Sequence, residues 1–189
     1  MTAATADDAT RRDFLYVASG AMGAVGVAAV AWPFIDQMNP SSAALALSSV
    51  EVDLTPIAVG QGITVKWRGQ PLFVRHRTPE EIKSAVAVDV ASLPDPLARN
   101  LNLADNAPAT DANREIKAEW LVLKGVCTHL GCTPEISTPT NVQGEYGGWL
   151  CHCHGSQYDT AGRIRKGPAP QNLEVPPYSF LSDTRIKVG

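Results

Sequence analysis

All four cysteines and three of the four histidines of this 189-residue chain fall between Cys127 and His154. They stand in two short segments, Cys127-Thr128-His129-Leu130-Gly131-Cys132 and Cys151-His152-Cys153-His154-Gly155-Ser156. Thiolate sulfur and imidazole nitrogen are ligands for zinc, copper and iron. Two such segments facing each other would offer two sulfur and two nitrogen donors and leave one cysteine over in each. In an exported protein two spare cysteines read as a disulfide that clamps the segments together. Structural zinc accepts the same donors, but its usual signature is a pair of C-x2-4-C and H-x3-5-H knuckles, whereas here Cys-x-His precedes Cys-x-Cys-His. Two plain disulfides would use the four cysteines and leave three neighbouring histidines without a role. A catalytic Cys/His pair needs one thiol and a distant base rather than this symmetry.

Loops that present donors need strands to hold them. Strand character precedes each segment, at Glu119-Trp120-Leu121-Val122-Leu123 and at Gly148-Trp149-Leu150. Further short β-rich runs lie at 51–55, 63–67, 71–74, 179–181 and 185–188, with Arg68-Gly69-Gln70 joining two of them as a hairpin. Thr78-Pro79-Glu80-Glu81 is a capping box with proline at the first helical position, which predicts a short helix. Residues 89–117 carry turn signals at Pro94, Pro96 and Pro108 and read as an irregular excursion. Short strands between Gly and Pro turns describe an antiparallel sandwich or small barrel. No P-loop, dinucleotide fingerprint or internal repeat is present.

Composition agrees with a globular head: 44% of residues are hydrophobic and 19% charged, and about 130 to 150 residues suffice to bury a core. A net charge of −3 without a run of Lys or Arg excludes a nucleic-acid partner, because neutralising phosphates needs a clustered basic face. The N-terminus is different. From Phe14 to Ile35 no residue is charged, roughly 33 Å of helix at ~1.5 Å per residue, enough to cross a hydrocarbon core. Arg11-Arg12 directly before it form a twin-arginine pair of the kind that exports folded proteins, and they keep the N-terminus cytoplasmic. Ala44-Leu45-Ala46 offers a cleavage site, but the span is longer than the apolar part of a cleaved signal, so a retained anchor is expected. Gly20, Ala24 and Ala28 give that anchor one small-residue face suited to a neighbouring membrane helix. Between Asp36 and Glu51 lies an uncharged Ser/Ala-rich stretch, broken from the helix by Asn39-Pro40, that extends to at most about 46 Å at ~3.3 Å per residue. The expected organisation is a tail 1–13, an anchor 14–36, a hinge 37–49 and a head 50–189.

Cys-Thr-His-Leu-Gly-Cys followed by Cys-x-Cys-His-Gly-Ser-x-Tyr resembles the two boxes of Rieske iron–sulfur proteins. With Gly167-Pro168-Ala169-Pro170, the twin-arginine anchor and the hinge, nearly the whole chain is similar to the Rieske subunit of bacterial quinol–cytochrome c reductases, the cytochrome bc complexes. The resemblance implies a mainly β fold: an antiparallel β-sandwich Rieske domain carrying a two-loop cluster-binding subdomain at about 124–172, with one transmembrane helix. It implies a [2Fe-2S] cluster with Cys127 and Cys151 on one iron, His129 and His154 on the other, and a Cys132–Cys153 disulfide. Ser156 and Tyr158 would donate hydrogen bonds to the cluster's sulfurs, and Leu130, Gly131 and Pro168 would form the docking tip. His154 and His129 would face the quinol, with electrons passing from ubiquinol to a c-type cytochrome and protons released. Partners would be a b-type and a c-type cytochrome subunit in a dimeric complex of the bacterial inner membrane, with the head in the periplasm. The small subunit of an arsenite-oxidising enzyme is the other family member that such a chain resembles. One departure stands out: the usual second box has proline between its cysteines, and here His152 occupies the position and adds a third imidazole. His76 reads as a surface or strand-end residue.

Overall fold

The computed structural model describes residues 10–42, 44, 48–138 and 140–189. The first nine residues, most of the candidate cleavage site and part of the hinge therefore lie outside the described residues. The chain divides into two compact units, Met1–Leu45 and Ala46–Gly189.

Among its described residues the first unit contains the long helix α1 (Arg11–Asp36). It starts three residues before the uncharged stretch because Thr10 caps it. The Thr10 hydroxyl accepts the Asp13 N–H at 3.2 Å, and the Asp13 carboxylate accepts the Thr10 N–H at 2.8 Å, a reciprocal capping box. None of its side chains is buried, and it is long and apolar enough to cross a membrane. Pro33 lies within the last turn, and the Gln37 N–H closes the end on the Pro33 carbonyl at 3.0 Å.

Among the described residues the second unit holds ten strands in three antiparallel sheets. β1 (Val50–Asp53), β10 (Arg185–Val188) and β9 (Tyr178–Ser182) make one sheet in that order; β2 (Gly62–Trp67), β3 (Gln70–His76) and β4 (Trp120–Lys124) make the second. The third is β5 (Glu135–Ile136), β6 (Gly147–Cys151), β7 (Ser156–Asp159) and β8 (Ile164–Lys166). Inward residues of all three sheets, among them Val52, Leu72, Val74, Leu121, Leu123, Trp149, Tyr158 and Ile186, share one core. The β2–β3 turn is two residues, since Trp67 already pairs with Gln70. Arg68 and Gly69 have φ of +48° and +79°, as a turn matched to the strand twist requires. The capping box at Thr78 starts α2 (Pro79–Val86).

The excursion at 89–117 is irregular, with two 3₁₀ turns, Val90–Ser92 and Asp111–Asn113. Buried arginines hold it to the head. Arg114 is wholly buried and donates to the Ala98 carbonyl, and to those of Ala161 at 3.0 Å, Gly162 at 3.3 Å and Leu173 at 2.6 Å. Burial pushes its pKa down to about 10, so it stays charged at neutral pH. Arg163 pairs with Asp159 at 2.8 Å and donates to the Ala109 and Ala85 carbonyls at 3.1 and 2.7 Å. Irregular backbone has no ladder to satisfy its carbonyls, and the five donors of a guanidinium do so instead. Arg114→Met strands the buried Ala98, Ala161 and Leu173 carbonyls, while that of Gly162 keeps the Leu173 N–H at 2.9 Å. It is expected to lower head stability by about 3 kcal/mol or more, at ~1–3 kcal/mol per unsatisfied group, measured as a shift in the urea unfolding midpoint.

Candidate metal centre

The two Cys/His segments are the same turn built twice. After β4 the chain turns through Cys127–Gly131, closed by the Gly131 N–H on the Cys127 carbonyl at 2.9 Å. After β6 it turns through Cys151–Gly155, closed by the Gly155 N–H on the Cys151 carbonyl at 2.9 Å. Both glycines have positive φ, +84° and +78°, with open space where a Cβ would sit. The left-handed backbone rather than crowding therefore calls for glycine. Cysteine opens each turn, and His129 and His154 stand inside them.

Cys132 and Cys153 are joined by a disulfide. The sulfurs of Cys132, Cys151 and Cys153 lie within 4.8 Å of one another, but two of the three are bonded together, which leaves only Cys151 of that group as a donor. The two free thiols, Cys127 and Cys151, are both buried. The His129 and His154 rings meet edge to face with centroids 4.7 Å apart, the first half-buried and the second exposed.

The thiols differ in their electrostatics. Burial raises the Cys127 pKa, but hydrogen bonds from the Tyr158 hydroxyl, the His129 backbone, Cys151 and the Ser156 hydroxyl outweigh it, so the net shift is downward. Cys151 is shifted up, by burial first and then by its neighbour Cys127. Two adjacent sulfurs resist ionising together, and a cation bound to both removes that penalty. Tyr158 is placed for its part: its hydroxyl oxygen accepts the Thr128 N–H at 3.4 Å and its proton goes to Cys127 Sγ at 3.3 Å. Burial holds the Tyr158 hydroxyl protonated, far above its ordinary range.

Leu130 is 71% exposed, and Gly131 and Pro168 are exposed with it. His152 is turned to β5, its Nε2 3.2 Å from Glu135 Oε2. His76 stacks on Trp120 and engages the Ile57 carbonyl at 2.9 Å, a structural role. Sequence reasoning missed Thr128, whose hydroxyl donates to the Gln171 carbonyl at 2.7 Å and accepts the Gln171 N–H at 3.3 Å; a threonine between two candidate ligands carries no spacing signal of its own. A cleft of about 600 Å³ between α2 and the β5–β6 connection, lined by Arg75, Glu81, Tyr146 and Arg165, contains none of the donors.

Residues 1–41 match the family described as Ubiquitinol-cytochrome C reductase Fe-S subunit TAT signal, and residues 99–178 match the Rieske [2Fe-2S] domain. The iron–sulfur subunit of ubiquinol–cytochrome c reductase from Rhodospirillum rubrum is 56% identical over 182 residues, 96% of this chain and 93% of the relative. That from Blastochloris viridis is 52% identical over 190 residues, covering 100% and 98%. Among solved structures, a chain of a hyperthermophilic respiratory Complex III is 26% identical, covers 90% of this chain and 98% of its own, and overlays at a TM-score of 0.49.

The donor chemistry fits a [2Fe-2S] group, which takes four protein ligands of sulfur and nitrogen. Among the described residues, two free buried thiols and two adjoining imidazoles come from the paired turns, with a hydroxyl aimed at one of the sulfurs. A hydrogen bond to a sulfur favours the reduced, more negative state, so its loss lowers the potential. One such bond is worth about 1.5 kcal/mol, on the order of 60 mV for a single electron. Tyr158→Phe is expected to lower the midpoint potential by that order in a redox titration, and an unchanged midpoint contradicts the role given to Tyr158.

Proposed function

Because the chain belongs to the iron–sulfur subunits of ubiquinol–cytochrome c reductase, we propose that it oxidises ubiquinol, releases the quinol's protons and hands electrons to a c-type cytochrome subunit. The observation that carries this reading is the pairing of two buried free thiols with two imidazoles that adjoin at the surface. Cys127 and Cys151 hold one iron, and His129 and His154 hold the other. When bound, the cluster supplies a one-electron acceptor whose potential is raised because neutral imidazoles replace two thiolates; Rieske centres in general span about −150 to +300 mV against about −400 mV for plant-type ferredoxins.

The residues around it bind and orient the substrate. His154, the more exposed imidazole, accepts a hydrogen bond from the quinol hydroxyl at the ring nitrogen left free by ligation, and takes the proton there. His129 adjoins it as the second surface imidazole. Leu130 with Gly131 and Pro168 gives an apolar tip that docks on the b-type cytochrome subunit and excludes water from the quinol. Ser156 and Tyr158 hold the donor sulfurs.

The anchor runs over 14–36 with the twin-arginine tail in the cytoplasm, which places the head in the periplasm of a bacterial inner membrane. Residues 37–49 form a hinge that lets the head reach the b-type subunit and then the c-type subunit within a dimeric complex. Tunnelling falls steeply with distance, so a head that moves serves both partners where a fixed one serves one.

Reduced protein is expected to give an EPR spectrum of low average g, and the complex is expected to co-purify with a b-type cytochrome; a silent protein that binds zinc would overturn the reading. Prolines introduced over residues 41–46 are expected to slow quinol–cytochrome c turnover at an unchanged cluster spectrum. Normal turnover in those variants counts against head motion.

A further inference from the structure

A third loop, Gly167–Asn172, lies across both donor turns. The Ala169 N–H donates to Ser156 Oγ at 3.2 Å, and Gln171 exchanges hydrogen bonds with the Thr128 hydroxyl. Gly167, at φ +104°, lets the loop approach so closely that a Cβ there would sit 2.6 Å from Ser156 Cα. Within the loop only Ala169 and Asn172 are buried, so its own apolar surface does little to keep it closed.

Its C-terminal end is held instead by the excursion. Asn172 is 1% exposed and every polar group it has on that side is used. Its Oδ1 accepts the Ile164 N–H at 2.8 Å, its Nδ2 donates to the Asp95 and Leu97 carbonyls at 3.0 and 2.8 Å, and its own N–H donates to Asp95 Oδ2 at 3.0 Å. Asp95 is fixed in turn by the Leu97 N–H at 3.2 Å and by Arg99, whose Nε is 2.9 Å from Oδ2.

The loop matters to the donors through one proton. A serine hydroxyl has a single hydrogen, and engaging one lone pair of Ser156 Oγ with the Ala169 N–H narrows where that hydrogen can point. Ser156 stands directly opposite Cys151 in the β6–β7 pair, which puts its hydroxyl on the same face as a donor sulfur.

We propose that Asn172, stapled to Asp95, is a positioning residue of the electron-transfer site: it keeps the Gly167–Asn172 loop closed, so that Ala169 directs the Ser156 hydroxyl at the donor sulfurs and sustains the potential. The inference rests on the ligand assignment of Cys127, His129, Cys151 and His154.

The test uses the intact membrane complex with Asn172→Ala and with Asp95→Ala, which removes the acceptor of the Asn172 N–H and leaves the carbonyls that hold its Nδ2. Three things are measured: the EPR line shape, the midpoint potential, and amide exchange across residues 167–172. The low-g signal is expected to persist, the midpoint to shift downward, and loop amides to exchange on the order of tenfold faster, the equivalent of about one buried hydrogen bond. In a Ser156→Ala background, Asn172→Ala is expected to add no further shift. A midpoint shift of equal size in both backgrounds overturns the proposal, as does an unchanged midpoint and exchange in both variants. If Asn172→Ala fails to assemble a cluster, Asp95→Ala decides by the same readings. A wild-type complex without the low-g signal indicts the ligand assignment instead, and loop exchange in the variants still tests the staple.

Discussion

Two turns far apart in sequence carry the two free thiols and the two adjoining imidazoles, and nothing apolar in either turn holds them side by side. Cys127–Gly131 and Cys151–Gly155 contain one large apolar side chain, Leu130, and it faces solvent. The turns are tied together by the Cys132–Cys153 disulfide, by Tyr158 bridging Thr128 and Cys127, and by the third loop bonded to Ser156 and Thr128. The strands supply the common base. Cys151 ends β6 and Ser156 begins β7 as directly opposed partners, so the second turn leaves the sheet with both ends fixed, and Trp149 and Tyr158 bury the hairpin in the core.

The same constraint explains the unusual number of buried cations. Arg77, Arg114 and Arg163 are each almost completely buried, a costly placement unless every donor is used. They are used. Arg77 pairs with Asp111 and the Ala118 carbonyl, Arg163 with Asp159 and two carbonyls, and Arg114 with four carbonyls. These contacts join the excursion to the hairpin and the third loop. A segment that looks like an insertion is the frame that keeps the site in shape, and it does so with guanidinium forks because irregular backbone presents carbonyls rather than apolar faces.

Electrostatics divides the site as well. One thiol is favoured as thiolate by four neighbours and the other is held back by burial and by the first. The imidazoles sit on the open side, His154 the more exposed, where a ring nitrogen can meet a substrate. The third histidine of the segment, His152, is occupied by Glu135 on the far side of its turn.

Much of this was legible in the residues themselves. The donor set, the strands with clear β composition, the capped helix α2 and the uncharged helix α1 are local features, fixed by side-chain type and short spacings. The limits of α1 shifted because Thr10 and Asp13 form a cap that charge counting does not see. β5, β7 and β8 were not legible: they have two to four residues each, carry polar side chains, and exist through pairing, β5 and β7 with β6 and β8 with β7. The sequence by itself determined which chemistry the chain carries, because cysteine, histidine and glycine at fixed offsets leave few alternatives. Only the tertiary structure decided how that chemistry is held. Asn172 finds Asp95, and Arg114 finds Leu173, across long stretches of chain, and a buried polar contact between distant residues has no periodicity to announce it.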